Sequence, residues 1–145
     1  EVTKDYSVVI VTNSKTEPVA KKLSKLGDYK IPILGNAKKY VIDAGHSDLP
    51  ESIQPSGFPR PVFLRRSSYK KILDNLKDSG FEPGNTAVAG DIFELDLALP
   101  QHLGYRVILL ETKGTQPHEK QYLQKTPNSF LAKDYGEILS HLKTK

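Results

Sequence analysis

Short apolar runs alternate along this chain with segments whose apolar residues recur at helical spacing. The runs are rich in Val, Ile and Leu, which is typical of strands buried on both faces of a parallel sheet. They are Ser7–Val11, Ile31–Leu34, Tyr40–Ile42, Pro61–Leu64, Ala87–Ala89, Arg106–Leu110 and Ser129–Ala132. Since parallel strands need crossovers between them, the alternation predicts an α/β fold with a doubly wound, mainly parallel sheet and flanking helices.

Recognisable residues mark where the helices are expected to begin. Ser14-Lys15-Thr16-Glu17 matches a capping box, and Ser67 is suited to the N-cap of the next helix. Further helices are predicted from near Glu94, over His118–Lys125 and over Tyr135–Lys143.

The region 35–66 departs from this alternation. Gly and Pro punctuate residues 43–60, which is typical of a loop, and a loop of this length in a compact domain is usually functional or mobile. Tyr40–Ile42 and Pro61–Leu64 could pair on either side of it. We therefore expect residues 1–145 to form a single α/β domain from which 35–66 projects as a loop or β-hairpin.

Composition excludes several classes of protein and site. There is no Cys, so disulfides, thiolate metal sites and a cysteine nucleophile are excluded, and the four His lack a zinc-ligand spacing. The net charge of +4 is spread over many Lys, without the Arg and aromatic interleaving of nucleic-acid surfaces. No apolar run approaches the ~20 residues that span a bilayer, and no signal-peptide pattern is visible. We therefore expect a cytoplasmic protein with neither a nucleic-acid nor a membrane partner.

Three carboxylates, Asp91, Glu94 and Asp96, follow the apolar run that ends at Gly90. The carboxyl end of a parallel strand is where open α/β sheets bind ligands, and a glycine allows close approach there. Two carboxylates this close repel unless a cation or a proton lies between them, and Mg²⁺ is the cation suited to a few oxygen ligands. The alternative is an ordinary turn with solvated acids, in which Glu94 begins a helix.

Three short motifs that could form a phosphate site follow one another along the chain. They are an apolar strand ending in Thr12-Asn13-Ser14, the pair Arg65-Arg66 just ahead of a helix, and Gly90-Asp91 with Asp96 following. The ordered set resembles the core of the haloacid dehalogenase-like hydrolases, and the similarity spans most of the chain. Taken singly, the first signal would be only a helix cap and the second a solvated pair of cations.

The resemblance implies hydrolysis of a small phosphorylated substrate through an aspartyl-phosphate, with Mg²⁺ as the cofactor. Thr12, with its neighbour Asn13, would contact the phosphoryl group, helped by backbone N–H groups at a helix start. Asp91 would hold the metal and Asp96 would support it. These roles agree with what phosphoryl transfer needs, which is positioning and positive charge on the equatorial oxygens.

The cation of the family is usually a Lys, and the resemblance implies that Arg65 or Arg66 takes its place here. Arg keeps the positive charge and can grip a phosphate through two N–H groups. Lys38, just after a short apolar run, is a rival for the same role.

The nucleophile of the family, an apolar strand ending in Asp-x-Asp before the Thr strand, has no counterpart ahead of Thr12. Asp43-Ala44-Gly45-His46-Ser47 follows an apolar run but lies after the Thr signal and has Gly45 where the second Asp belongs. We therefore expect the nucleophile strand to lie upstream of Glu1, and we expect this chain alone to be inactive. Since that strand is central in the family's sheet, its absence predicts a break between the strands of this chain. The alternative function is a non-enzymatic domain that binds a phosphorylated ligand or a protein partner.

Overall fold

A computed structural model of the chain describes residues 5–43 and 48–143. Within them, short strands and helices follow one another, with a π-helical turn (Phe93–Leu97) leading directly into α3. The strands are β1 (Ile10–Val11), β2 (Ile33–Leu34), β3 (Ser52–Ile53), β4 (Val62–Phe63), β5 (Ala87–Gly90), β6 (Arg106–Leu110) and β7 (Ser129–Ala132). The helices are α1 (Thr16–Ser24), α2 (Ser67–Asp78), α3 (Ala98–His102), α4 (Pro117–Lys125) and α5 (Tyr135–Lys143).

The strands β5, β6 and β7 form a parallel sheet in that order. The central strand β6 is its core, because Val107, Ile108 and Leu109 are completely buried. The mixed α/β character and the parallel pairing predicted from the sequence are thus confirmed, and β7 lies at an edge as expected.

The other described strands do not join this sheet. β1 pairs in parallel with β2, and β3 pairs antiparallel with β4, so the strands form three separate sheets. A single doubly wound sheet is therefore not seen within residues 5–43 and 48–143. In the described part of the chain, β1 and β5 each pair with one other strand, and the break expected from a missing central strand stays a prediction.

The hairpin in the 35–66 region differs from the expected one. Val62 pairs with Ile53 instead of with the run 40–42, which is not a strand. The hairpin loop is anchored through Phe58, whose ring packs edge-on against Phe93 at a centroid distance of 5.4 Å.

Two apolar clusters fix the sheets and helices around the carboxyl end of β5. One lies between β6, the hairpin and α4, and it consists of Val62, Leu64, Phe93, Leu97, Ala98, Val107, Leu109 and Leu123. The other joins α2 to α3 through Leu49, Tyr69, Leu73 and Leu99, with Val11 packed against it. The second cluster therefore holds β1 against α2 and α3 through apolar contacts.

Helix starts differ from the predicted caps where long-range contacts intervene. The N-cap of α1 is Lys15, without a side-chain cap, so the capping box at Ser14 does not form. At α2 the first residue is Ser67, whose N–H donates to Asp43 Oδ2 at 2.7 Å. No helix of the described residues combines the length and the apolar character needed to cross a membrane.

Candidate functional site

The chain turns back on itself just after β5, and Asp96 closes the turn. Its Oδ2 accepts the N–H groups of Asp91 at 3.2 Å and of Ile92 at 3.1 Å. Gly90 makes this possible, because a Cβ at that position would lie 2.4 Å from the Asp96 Cβ. The glycine predicted from the sequence to allow close approach therefore lies against the Asp96 side chain.

Lys39 is the cation that reaches these acids. Its Nζ lies 2.9 Å from Asp96 Oδ1, and the two side chains are only 10% and 15% exposed. The Lys39 N–H donates to Asn13 Oδ1 at 2.8 Å, just beyond β1. Lys39 thus links the carboxyl ends of β1 and β5, although the two strands share no hydrogen bond.

Tyr69 supports the ion pair from α2. Its hydroxyl donates to the Asp96 carbonyl oxygen at 2.7 Å, and the Lys39 Nζ lies 5.2 Å from the centre of its ring. Burial, followed by the negative charge of Asp96, raises the pKa of Tyr69 well above its usual range. The hydroxyl therefore stays protonated and remains a donor throughout the range in which proteins fold.

Arg66 is buried next to Lys39, and its ion-pair partner is Glu94 and not Asp96. It is 2% exposed, and its Nη1 donates to the Lys39 carbonyl oxygen at 2.8 Å. Its Nη2 contacts Glu94 Oε2 at 2.9 Å, and its Nε donates to the Phe63 carbonyl oxygen at 3.1 Å. Burial lowers the pKa of Arg66, an effect that the charge of Glu94 opposes. The geometry thus gives Arg66 the position of a structural brace for Lys39 and the hairpin.

The other two predicted cations are also placed away from Asp96. Arg65 is half-buried and its Nε donates to the Leu49 carbonyl oxygen at 3.0 Å. Lys38 is exposed, and its φ of 48° turns the chain so that its neighbour Lys39 faces inward. The sequence indicated a cation in this region and named Lys38. It missed Lys39, whose contact with Asp96 spans 57 residues and has no local signal.

Thr12 and Asn13 lie where the sequence predicted, at the carboxyl end of β1. The Thr12 hydroxyl oxygen accepts the Ser14 N–H at 3.2 Å, which leaves its O–H hydrogen for another acceptor. Asn13 uses its side-chain oxygen on Lys39 and is otherwise exposed. The structure therefore brings Asn13, Lys39 and Asp96 together.

The predicted nucleophile alternative at 43–47 lies partly outside the described residues, which omit 44–47. Asp43 itself is committed to the start of α2. Hydrogen bonds from the Ser67 hydroxyl and N–H hold the pKa of Asp43 below its usual range. Its carboxylate therefore acts as a cap on that helix.

The two predicted metal ligands differ in how well they fit Mg²⁺. Both oxygens of Asp96 are engaged, one by Lys39 and the other by two backbone N–H groups. The Asp91 carboxylate is exposed at the end of β5 and fits Mg²⁺ as one ligand, because that ion needs only one or two protein carboxylates beside water and phosphate. Within residues 5–43 and 48–143, no three His, Asp or Glu side chains converge on one point.

Glu94 completes the polar network on the hairpin side. Besides Arg66 it contacts Arg60, which reaches Glu94 Oε1 at 2.5 Å and Oε2 at 3.3 Å. The Arg60 side chain is 61% exposed, so this pair forms the solvent-facing end of the network. The structural alternative predicted for Glu94 thus agrees with where it lies.

Compared with models of known protein families and with curated protein sequences, the chain matches none of them.

Proposed function

We propose that this chain forms most of the core of a Mg²⁺-dependent phosphohydrolase. It would cleave small phosphomonoesters through an aspartyl-phosphate whose aspartate lies on a strand outside these residues. The observation that carries the proposal is that the Lys39–Asp96 ion pair joins the ends of β1 and β5, although these two strands do not pair with each other. A cation, a threonine hydroxyl and an exposed carboxylate are thereby placed around one break between sheets.

The edges of this break have unsatisfied pairing capacity. Ile10 and Thr12 donate their N–H groups to β2, at 3.0 Å in both cases. In a parallel strand the residue between them directs its own N–H to the opposite side, so Val11 faces away from β2. On the other side, β5 pairs with β6 alone among the described strands, and Ala89 is exposed although it lies in an apolar strand. An apolar strand inserted in parallel would pair with both edges, and its carboxyl end would lie beside Thr12 and Asp91.

Lys39 supplies the positive charge in this proposal. An ammonium group carries three N–H donors, and Asp96 accepts one of them. The remaining donors can reach phosphoryl oxygens at the break, while Asp96 and Tyr69 keep the side chain in one direction. Because the group is largely shielded from water, its attraction for a phosphate is stronger than that of an exposed lysine.

Thr12 and Asp91 complete the contribution of this chain. The Thr12 O–H donates to a phosphoryl oxygen, and the Asp91 carboxylate holds the metal. Mg²⁺, when bound, supplies positive charge to the phosphoryl oxygens. Asp96 acts on Asp91 through the backbone, because it fixes the N–H groups of Asp91 and Ile92. Asp96 is therefore a positioning residue in this proposal, while Asp91 is the ligand.

A second candidate is a non-enzymatic domain that uses the same cation and hydroxyl to bind a phosphorylated ligand. One observation favours it: both carboxylate oxygens of Asp96 are already engaged, one by Lys39 and the other by two backbone N–H groups, so Asp96 is not offered to a metal. Phosphate binding without turnover would be its signature.

The two candidates are separated by an assay of the natural polypeptide that contains this chain, on p-nitrophenyl phosphate with and without Mg²⁺. We expect turnover that requires Mg²⁺ and that falls in Asp91→Asn on the order of 100-fold or more, as for the loss of a transition-state charge contact. Asp74→Asn, an exposed acid paired with Lys70, is the matched control and should leave turnover unchanged. Full activity in Asp91→Asn would overturn the metal assignment. Phosphate binding without turnover in the unaltered polypeptide would favour the second candidate.

A further inference from the structure

An open cleft of about 610 Å³ lies at the carboxyl edge of the three-stranded sheet, next to the ends of β6 and β7. Its lining comes from the loop after β6, from α4 and from the residue after β7: Glu111, Thr112, Lys113, Thr115, Lys120 and Lys133. The hydrogen bonding between β6 and β7 continues into this cleft, since the Glu111 N–H donates to the Ala132 carbonyl oxygen at 2.8 Å. The cleft is therefore built on a rigid sheet end, where parallel sheets bind ligands.

Positive charge dominates this cleft. It contains three ammonium groups and one carboxylate, and the carboxylate of Glu111 pairs with Lys120. Ion pairs within the described residues involve neither Lys113 nor Lys133. The acids nearest to Lys133 in sequence are used at the start of α5, where Glu137 accepts the Lys133 N–H at 2.8 Å. The ammonium groups of Lys113 and Lys133 are thus without an ion-pair partner among the described residues, and the lining of the cleft has more positive than negative charges.

The loop after β6 adds hydroxyl donors to these charges. The Thr115 Oγ1 accepts the Thr112 N–H at 2.8 Å, and the Thr112 Oγ1 accepts the Gly114 N–H at 3.2 Å. Since each oxygen already accepts a bond inside the loop, each hydroxyl hydrogen is left to donate outward. Donors therefore greatly outnumber acceptors, a balance that suits a tetrahedral dianion.

We propose that this cleft is a binding site for a phosphate group, held by Lys113, Lys133 and the two threonine hydroxyls. The inference does not depend on the proposed hydrolase, because it concerns residues after β6 and β7 and not those at the β1–β5 break. The ligand is free phosphate or a phosphorylated small molecule, and the site's charge of two matches either.

The test is a titration of the protein with inorganic phosphate, followed by the backbone amide signals at constant ionic strength. We expect saturable shifts at residues 111–115, 120 and 133, as a group distinct from any shifts at residues 12, 39 and 91, and no such shifts with chloride. The double variant Lys113→Ala/Lys133→Ala should weaken binding at least about tenfold, since each lost contact is a hydrogen bond to a charged group. The matched control Lys21→Ala/Lys71→Ala removes two exposed helix lysines and should bind phosphate as the unaltered protein does.

Two outcomes would overturn the proposal. One is unchanged phosphate affinity in Lys113→Ala/Lys133→Ala, with the same melting temperature as the unaltered protein. The other is the absence of saturable shifts at the cleft residues, whether or not shifts occur at residues 12, 39 and 91. Glycerol phosphate distinguishes the sources: equal or tighter binding than phosphate assigns the site to a phosphorylated molecule, and weaker binding assigns it to free phosphate. Thr112→Val should weaken phosphate binding while Thr112→Ser preserves it, which tests the hydroxyl separately from charge.

Discussion

Lys39 and Asp96 form a 2.9 Å ion pair between the ends of two strands that share no hydrogen bond. Both side chains are largely buried, so each carries a charge that water no longer stabilises. The pair therefore joins two sheets. It also fixes the orientation of the Lys39 side chain, the only cation found at that junction in the described residues.

Lys39→Met should destabilise the protein by about 3 kcal/mol, because Asp96 would keep an uncompensated, largely buried charge. The free energy of unfolding in urea measures this. The double variant Lys39→Met/Asp96→Asn should lose clearly less than the sum of its single variants, because no lone charge remains. Lys70→Met, which breaks the more exposed Lys70–Asp74 pair, is the control and should change the free energy by about 0.5 kcal/mol or less. Additive losses in the double variant would contradict the pairing.

Gly90→Ala should destabilise the protein by about 1–3 kcal/mol, the usual range for an overpacked site. The new Cβ would lie 2.4 Å from the Asp96 Cβ, and Asp96 is held on both oxygens, so the clash cannot be relieved without breaking hydrogen bonds. Thermal unfolding measures the loss. Gly84→Ala is the matched control, because a Cβ there meets nothing within 4 Å, and its effect should stay within about 0.5 kcal/mol. Equal stabilities of the two variants would show that Asp96 does not pack against Gly90.

Arg66 and Arg60 contact the same carboxylate but should differ greatly in their contribution to stability. Arg66→Met leaves Glu94 with less compensation and removes donors from two buried carbonyl groups, so we expect a loss of about 3–5 kcal/mol. Arg60→Met removes a pair that is mostly exposed on the Arg side and should cost less than about 1 kcal/mol. Chemical denaturation of both variants checks the difference. A folded, stable Arg66→Met variant that has lost only phosphate binding would instead restore Arg66 as the phosphate-facing cation.

Stability should fall with rising pH because of Tyr69. Its pKa is raised by burial and by Asp96, so the unfolded chain releases this proton from about pH 10 upward while the folded chain retains it. Below that pH the group holds its proton in both states and adds no pH dependence. Tyr69→Phe should reduce the slope of unfolding free energy between about pH 10 and 11. It should also lower stability at neutral pH by about 1 kcal/mol, since the bond to the Asp96 carbonyl is lost. An unchanged alkaline slope in Tyr69→Phe would contradict the assignment.

Hydrogen exchange should distinguish the two edges of β1. The Ile10 and Thr12 N–H groups are bonded to β2 and should exchange slowly, whereas the Val11 N–H faces the break and should exchange rapidly. The centre of β6, where Val107 to Leu109 are completely buried, is the internal reference for strong protection. A Val11 amide as protected as those in β6 would mean that another strand covers this edge.

How far the sequence predicts this structure depends on how local each feature is. The bounds of β6, β7 and α5 match the prediction because each is a continuous apolar run or stripe with its own boundary residues. The capping box predicted at Ser14 does not form, and a long-range contact is found at this helix start instead: the Gly35 N–H donates to Thr16 Oγ1 at 3.2 Å. The start of α1 thus involves a contact between residues 19 positions apart, which the local sequence pattern does not reveal.

The candidate site is predicted in part for the same reason. Thr12, Asn13, Asp91 and Asp96 follow strands, and strand ends can be found from apolar runs. Lys39 follows no strand, and the residues that hold it, Asn13, Tyr69 and Asp96, are all at least 26 residues away in the sequence. Arg66 resembles a solvated cation in the sequence because its partner Glu94 lies 28 residues away.

The unpaired edges of β1 and β5 have a consequence for handling the protein. A strand edge with free N–H and C=O groups is a template for any other extended segment, and β5 carries no charged residue within its four positions to discourage this. Concentrated solutions of this chain should therefore self-associate through strand pairing. The same edges that the proposed function assigns to an added strand would make the chain prone to aggregation.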